Sequence, residues 1–86
     1  MTTQLLARYD IGDFAQWKRA FDADAEDRGN NSLSVLQIWR EGATRAWVLY
    51  QVADPKRARQ YLDGAAGVFD SQAGVTGHEY HMLETA

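Results

Sequence analysis

Four polar or aromatic side chains could act together on a small molecule if they share one face of a β-sheet. His81 is the natural general acid or base, because an unperturbed imidazole titrates near pH ~6.5. Trp47 could stack on an aromatic ring, Gln51 could orient a carbonyl group, and Arg8 could hold a carboxylate or an enolate. The apolar side chains predicted to surround them are Leu36, Ile38 and Leu49. A mostly apolar cavity with a few convergent polar groups suits a small aromatic or polyketide-like ligand.

The same residues also have a purely structural interpretation. They could pack in an interface between subunits and have their hydrogen bonds satisfied there, His81 included. The residues alone therefore leave open whether the chain is an enzyme. A metal site at His78, Glu79 and His81 is opposed by strand geometry, since residues three apart point to opposite faces. The sequence contains no cysteine and no phosphate-binding glycine loop. We therefore predict no metal and no cofactor.

A β-hairpin over residues 33–52 is predicted to form the middle of the sheet that positions these side chains. Two runs rich in Val, Leu, Ile, Trp and Tyr flank a turn at residues 41–44. A turn loop of two or four residues would pair Ile38 with Trp47 and Leu36 with Leu49. Both faces of this hairpin are apolar, which predicts that both are covered. A one-residue slip would exchange the faces and bring Trp39, Tyr50 and Tyr80 into the cleft instead.

The elements on either side of the hairpin are predicted from periodicity and capping residues. A strand is expected over residues 3–11 and a helix over residues 14–28, with Asp13 as its N-cap. Asp54 followed by Pro55 marks the start of a second helix. Residues 74–77 are predicted to form a loop and residues 78–84 the last strand. The order β-α-β-β-α-β over a single domain, residues 1–86, is the ferredoxin-like α+β pattern: a four-stranded antiparallel sheet with two helices on one face.

The other face of this sheet would be open to solvent and rich in large apolar side chains. Burying such side chains is worth roughly 1.5–3 kcal/mol each, so their exposure would be costly. A second copy packed sheet to sheet would cover them, which predicts a symmetric homodimer.

Composition narrows the remaining classes of protein. A net charge of −3 and a pI near 5.2 argue against a nucleic-acid partner, which would need a basic surface. The first ten residues have neither a basic start nor a long apolar run, so no signal peptide or membrane span is expected. The predicted location is cytoplasmic.

A signature near the first helix resembles a known family. Residues 11–18, IGDFAQWK, together with Phe21, Asp22 and Arg28, are similar to the V-x-D-[YF]-x-x-W-K-x-x-F-D…R pattern of small bacterial proteins of the dimeric α+β barrel superfamily. These proteins are close to the antibiotic-biosynthesis-monooxygenase group and are sometimes called cyclase-like. The resemblance continues through residues 38–40 and 48–50 and the GVTG segment at residues 74–77.

The resemblance implies a fold more firmly than an activity. It implies a homodimer that binds a small apolar or aromatic molecule, with cofactor-independent monooxygenase, isomerase or cyclase-like chemistry as the candidate activity. The Asn, Trp, His or Tyr and Arg constellation of such oxygenases has no matching asparagine here, since Asn30 and Asn31 lie in a predicted loop. His81 and Arg8 are the predicted catalytic residues, assigned by sheet face and not by motif. The alternative is a non-catalytic interaction or regulatory domain whose cleft is filled by side chains.

Overall fold

The computed structural model describes residues 2–86, which form one four-stranded antiparallel sheet with helices against one face. The strands lie in the order β2-β3-β1-β4. The elements in chain order are β1 (Thr3–Ile11), α1 (Phe14–Ala23), α2 (Ala25–Asn30), β2 (Leu33–Glu41), β3 (Arg45–Val52), α3 (Pro55–Asp63), α4 (Ala66–Ala73) and β4 (Val75–Glu84). The predicted ferredoxin-like α+β fold is confirmed. No helix within residues 2–86 combines the length and the apolar character needed to span a membrane.

Each of the two predicted helices is divided into two shorter ones. The first breaks at Asp24, whose backbone (φ −94°, ψ 9°) leaves the helical region and whose side chain accepts a hydrogen bond from Tyr61. The second is interrupted at Gly64 and resumes as α4. Gly74 then adopts a left-handed conformation (φ 74°), so that β4 begins at Val75, three residues earlier than predicted. Asp13 and Asp54 cap α1 and α3 as predicted.

The hairpin differs from its predicted register along half its length. The loop has three residues, 42–44, with Gly42 at a positive φ of 63°. Ile38 therefore pairs with Val48, and Trp39 pairs with Trp47. A bulge at Leu36 then restores the predicted pairing, so that Val35 faces Tyr50.

This shift moves residues 37–41 to the faces opposite those predicted, and two large side chains among them matter most. Ile38 was predicted to line the open face, and that prediction is wrong: it lies on the helix face, partly buried against the core. Trp39 lies on the open face beside Trp47 and is 46% exposed. The cause is the odd number of loop residues, because a one-residue change of register moves every following side chain to the other face.

The hydrophobic core lies between the helices and the inner face of the sheet. Alternate residues of β1 and β3 are buried there, and α1 contributes Trp17 and Phe21, which stack with ring centroids 4.8 Å apart. Trp17 is fully buried and Phe21 nearly so. The two hydroxyls of Tyr9 and Tyr50 lie in this core and hydrogen-bond to each other at 2.8 Å.

Candidate functional site

The open face of the sheet presents its side chains in rows that cross all four strands. One row runs from Trp39 through Trp47 and Arg8 to Glu79, and the next from Gln37 through Leu49 and Leu6 to His81. A third row contains Ser34, Gln51, Gln4 and Leu83. Strand alternation brings together the predicted residues Arg8, Trp47, Leu49, Gln51 and His81 on this face. Leu36, at the bulge, is 49% exposed.

The polar groups of this face are already engaged with one another. Arg8 donates to Glu79 at 2.9 Å and to Asp10 at 3.3 Å. His81 Nε2 contacts the other oxygen of the Glu79 carboxylate. These contacts hold the side chains in an ordered network, in which Arg8 Nε remains buried without a hydrogen-bond partner among the described residues.

The network continues to the far edge of the sheet. Asp10 also accepts from Arg45 Nε at 3.1 Å, and Glu41 accepts from Trp47 Nε1 at 2.7 Å. Arg45 and Glu41 lie 3.7 Å apart at their closest nitrogen and oxygen atoms. Partnered charges thus cross the whole sheet next to exposed apolar side chains, which is the composition of an interface with a polar rim.

A second candidate site lies on the other side of the sheet, between the sheet and the helices. It is a small pocket of about 10 Å³, which is room for about one water molecule. Its apolar walls are Phe21, Leu33, Leu62, Ala66 and Phe69. Its polar lining consists of Asp24, Arg28 and the four tyrosines Tyr9, Tyr50, Tyr61 and Tyr80. Aromatic walls with several convergent polar groups are typical of small-molecule sites.

Arg28 is the most unusual residue of this pocket. It is 5% exposed, and its Nε and Nη1 atoms are buried without a hydrogen-bond partner within residues 2–86. Its guanidinium lies over the Phe21 ring, 3.6 Å from the centroid, and its closest approach to Asp24 is 3.8 Å. The contact of Arg28 with Asp24 is therefore a loose ion pair without a hydrogen bond. Buried, unsatisfied donors are rare in folded proteins and call for a physical explanation.

The tyrosine hydroxyls of the pocket are held in their neutral form. Burial raises the pKa of Tyr9, Tyr50 and Tyr80 above the ordinary tyrosine value. Burial also raises the pKa of Tyr61, and its hydrogen bond to the Asp24 carboxylate at 2.9 Å adds to the effect. At neutral pH these groups can donate or accept hydrogen bonds but cannot act as bases.

A carboxylate on α4 lies at the edge of the same tyrosine cluster. Asp70 Oδ2 is 3.1 Å from His78 Nδ1, and the His78 ring stacks on Tyr80 with centroids 4.4 Å apart. Burial raises the pKa of Asp70, while the neighbouring His78 lowers it in part. Asp70 Oδ1 is buried without a hydrogen-bond partner within the described residues.

Sequence reasoning missed this pocket. The available signal was Tyr9 and Tyr50, whose hydroxyls lie on the buried face of the sheet and therefore need hydrogen-bond partners there. The involvement of Asp24, Tyr61 and Asp70 depends on how the divided helices pack, which no local pattern in the chain encodes.

Comparison with known proteins identifies the fold. No protein-family model and no curated protein sequence matches the chain. Among solved structures, SnoaB, a cofactor-independent oxygenase from Streptomyces nogalater, is 13% identical with a TM-score of 0.71, over 99% of this chain and 93% of that one. A NIPSNAP family protein of unknown function from Agrobacterium tumefaciens is 5% identical with a TM-score of 0.72, over 99% and 88%.

A third similar structure contains a ligand. The monooxygenase from the gene ActVA-Orf6 of Streptomyces coelicolor, in complex with nanaomycin D, is 8% identical with a TM-score of 0.63, over 99% of this chain and 88% of that one. These three similarities show that the chain shares the α+β fold of those structures. At such low identities the likeness defines architecture and leaves activity to be argued from the site.

Proposed function

We propose that this protein is a homodimer that binds a small, largely apolar aromatic molecule in the pocket between the helices and the sheet. The observation that carries this proposal is the pocket's composition: aromatic walls around a buried Arg28 whose donors are unpartnered. On the open face, the carboxylates of Asp10 and Glu79 pair with Arg8, Arg45 and His81, although Arg8 Nε is also buried without a partner within residues 2–86. The open face is therefore proposed as the dimer interface.

The activity proposed for this pocket is cofactor-independent oxygenation, isomerisation or cyclisation of the bound molecule. Its support is the shared fold with SnoaB and the ActVA-Orf6 monooxygenase. The competing proposal is a non-catalytic domain, favoured by the small volume of the pocket, which side chains nearly fill. The predicted cleft site at Arg8 and His81 would require those residues to exchange their Glu79 contacts for a ligand.

Ligand entry requires the pocket to widen, because one water molecule is far smaller than an aromatic ring. The corner between α3 and α4 is the element suited to move. It supplies Leu62, Ala66 and Phe69 to the pocket wall. Within residues 2–86, the hydrogen bond from Tyr61 to Asp24 is the one side-chain hydrogen bond that ties α3 to another helix or strand. Breaking this bond would let the corner swing outward.

Native mass spectrometry of protein purified from its own host tests assembly and ligand together. A dimer with additional mass corresponding to one small molecule per subunit is expected. Binding of 2-naphthol by the purified chain, followed through tryptophan fluorescence, then locates the site. Ala66→Ile fills the pocket and should abolish binding.

Ala73→Ile is the matched control, because Ala73 is equally enclosed but does not line the pocket. Both substitutions overpack the core at a cost of about 1–3 kcal/mol, so circular dichroism must show both variants folded. Equal loss of binding in the two variants, or an empty dimer that binds no aromatic probe, would refute the pocket as the ligand site.

A further inference from the structure

Arg28 presents a positive charge to the pocket that the protein itself does not neutralise by hydrogen bonds. The residue is 5% exposed, and no acceptor within residues 2–86 is hydrogen-bonded to its guanidinium. Its ion pair with Asp24 spans 3.8 Å, while that carboxylate instead accepts a hydrogen bond from Tyr61 at 2.9 Å. A buried charge held only in a long ion pair without a hydrogen bond is costly, so a fold that retains one has a use for it or a partner that binds reversibly.

The surroundings of Arg28 favour a particular kind of partner. The guanidinium carbon lies 3.6 Å from the centroid of the Phe21 ring, a cation–π contact that holds the group at the pocket wall. The planar fork of an arginine matches the two oxygens of a carboxylate better than a single hydroxyl. The remaining walls are aromatic and aliphatic, with neutral tyrosine hydroxyls among them.

We infer that the ligand of this pocket carries a carboxylate on a planar apolar body and that the carboxylate binds the guanidinium of Arg28. This inference rests on the proposed function and narrows its ligand class. The competing occupant is a single water molecule, for which the closed pocket has room and which could accept from the unpartnered donors. In that case Arg28 would be a structural residue with no effect on ligand choice.

Three probes that share one ring system separate these cases: 2-naphthoate, its neutral isostere 2-naphthamide, and 2-naphthol. The full-length chain should bind 2-naphthoate at least about tenfold more tightly than 2-naphthamide, as a charge-assisted hydrogen-bonded pair predicts. Arg28→Gln should remove this preference, so that its affinities for 2-naphthoate and 2-naphthamide differ by less than about twofold. Arg28→Lys should restore part of it, because the charge remains and the fork is lost.

The outcomes separate this inference from the proposed function. Binding of the amide and the naphthol without any preference for the naphthoate overturns the carboxylate and leaves the aromatic pocket standing. Failure of all three probes refutes both. Tighter binding of 2-naphthol than of 2-naphthoate overturns the carboxylate in favour of a phenolic ligand.

A second measurement uses the wild-type chain alone, in case Arg28→Gln does not fold. The ¹⁵N-labelled Nε–H group of Arg28 should give an NMR signal that shifts downfield as 2-naphthoate saturates the pocket. It should move much less with 2-naphthamide. An Nε–H signal that 2-naphthoate leaves unchanged, while the probe binds, contradicts the inference.

Discussion

The two faces of the sheet treat polar groups in opposite ways. On the open face, charged side chains are solvent-accessible and joined into a network from His81 to Trp47, while large apolar side chains such as Trp39 and Leu83 remain about half exposed. On the helix face, the apolar side chains are buried, but Arg28 and Asp70 keep buried atoms without partners. Exposed apolar groups on the open face are what a surface covered by another protein would present. Buried donors without partners occur on both sides of the sheet, at Arg8 Nε and at Arg28, and of these two Arg28 lines the pocket.

The largest expected effect is the difference between the two faces in how much a buried or exposed tryptophan contributes to stability. Trp17→Ala should lower the free energy of unfolding by about 3–5 kcal/mol, because Trp17 is fully buried against Phe21 and Tyr9. Trp47→Ala, on the open face, should cost about 1 kcal/mol in the isolated subunit, mainly through its hydrogen bond to Glu41. Urea unfolding at low protein concentration measures both. Similar losses in the two variants would mean that the faces do not differ as described.

The next effect tests the open face as an interface. Leu49→Glu places a carboxylate between Leu6 and Gln37 near the middle of that face. The dissociation constant of the proposed dimer should rise about 100-fold or more, since the charge would be buried without a partner. Val68→Glu is the control, because Val68 is 63% exposed on α4. Analytical ultracentrifugation should show a monomer for the first variant alone; dissociation by Val68→Glu instead would move the interface to the helices.

A smaller effect tests whether the pocket opens to admit a ligand. Tyr61→Phe removes the hydrogen bond to Asp24 and should cost about 1 kcal/mol of stability. Because it raises the population of the open form, it should also tighten binding of 2-naphthol about fivefold. Gln60→Ala, an exposed neighbour on α3, should change neither quantity. Weaker binding by Tyr61→Phe would show that the hydroxyl holds the ligand directly.

The smallest effect concerns pH and the buried carboxylate of Asp70. Burial raises its pKa in the folded chain above the ordinary value of 3.8, so the folded state holds this proton more tightly than the unfolded state. The stability from this proton is present below pH 3.8 and is lost as the pH rises through the folded pKa. Asp70→Asn should therefore gain stability relative to the wild type as the pH rises through this window. Urea unfolding at a series of pH values measures the difference; a difference of opposite slope would mean that His78 outweighs burial.

Much of the fold could be predicted because it depends on local patterns. Alternation in β1 and β3 identified their buried faces, and the capping residues Asp13 and Asp54 marked two helix starts. The bulge at Leu36 could not be predicted, since neither glycine nor proline marks it and it is fixed by the strand opposite. Ile38 was assigned to the wrong face because the loop has three residues, where two or four were expected.

The candidate site was predictable only in part, for a physical reason. Side chains on neighbouring strands meet by register, so the gathering of Arg8, Trp47 and His81 followed from alternation alone. Arg28 meets Tyr61 and Phe69 through the angles at which α2, α3 and α4 pack on the sheet. Those packing angles depend on contacts throughout the core. They cannot be predicted from the spacing of residues along the chain.

The hairpin combines a three-residue loop with a bulge at Leu36, and this combination affects how the lengths of related chains can vary. An odd loop length at the hairpin tip is absorbed within six residues, so the far end of the hairpin, where Leu33 is buried, keeps its place in the core. Insertions and deletions at the tip can therefore accumulate without disturbing the body of the fold. An ungapped alignment across residues 36–44 of a homologue without the bulge would match inward-facing positions to outward-facing ones.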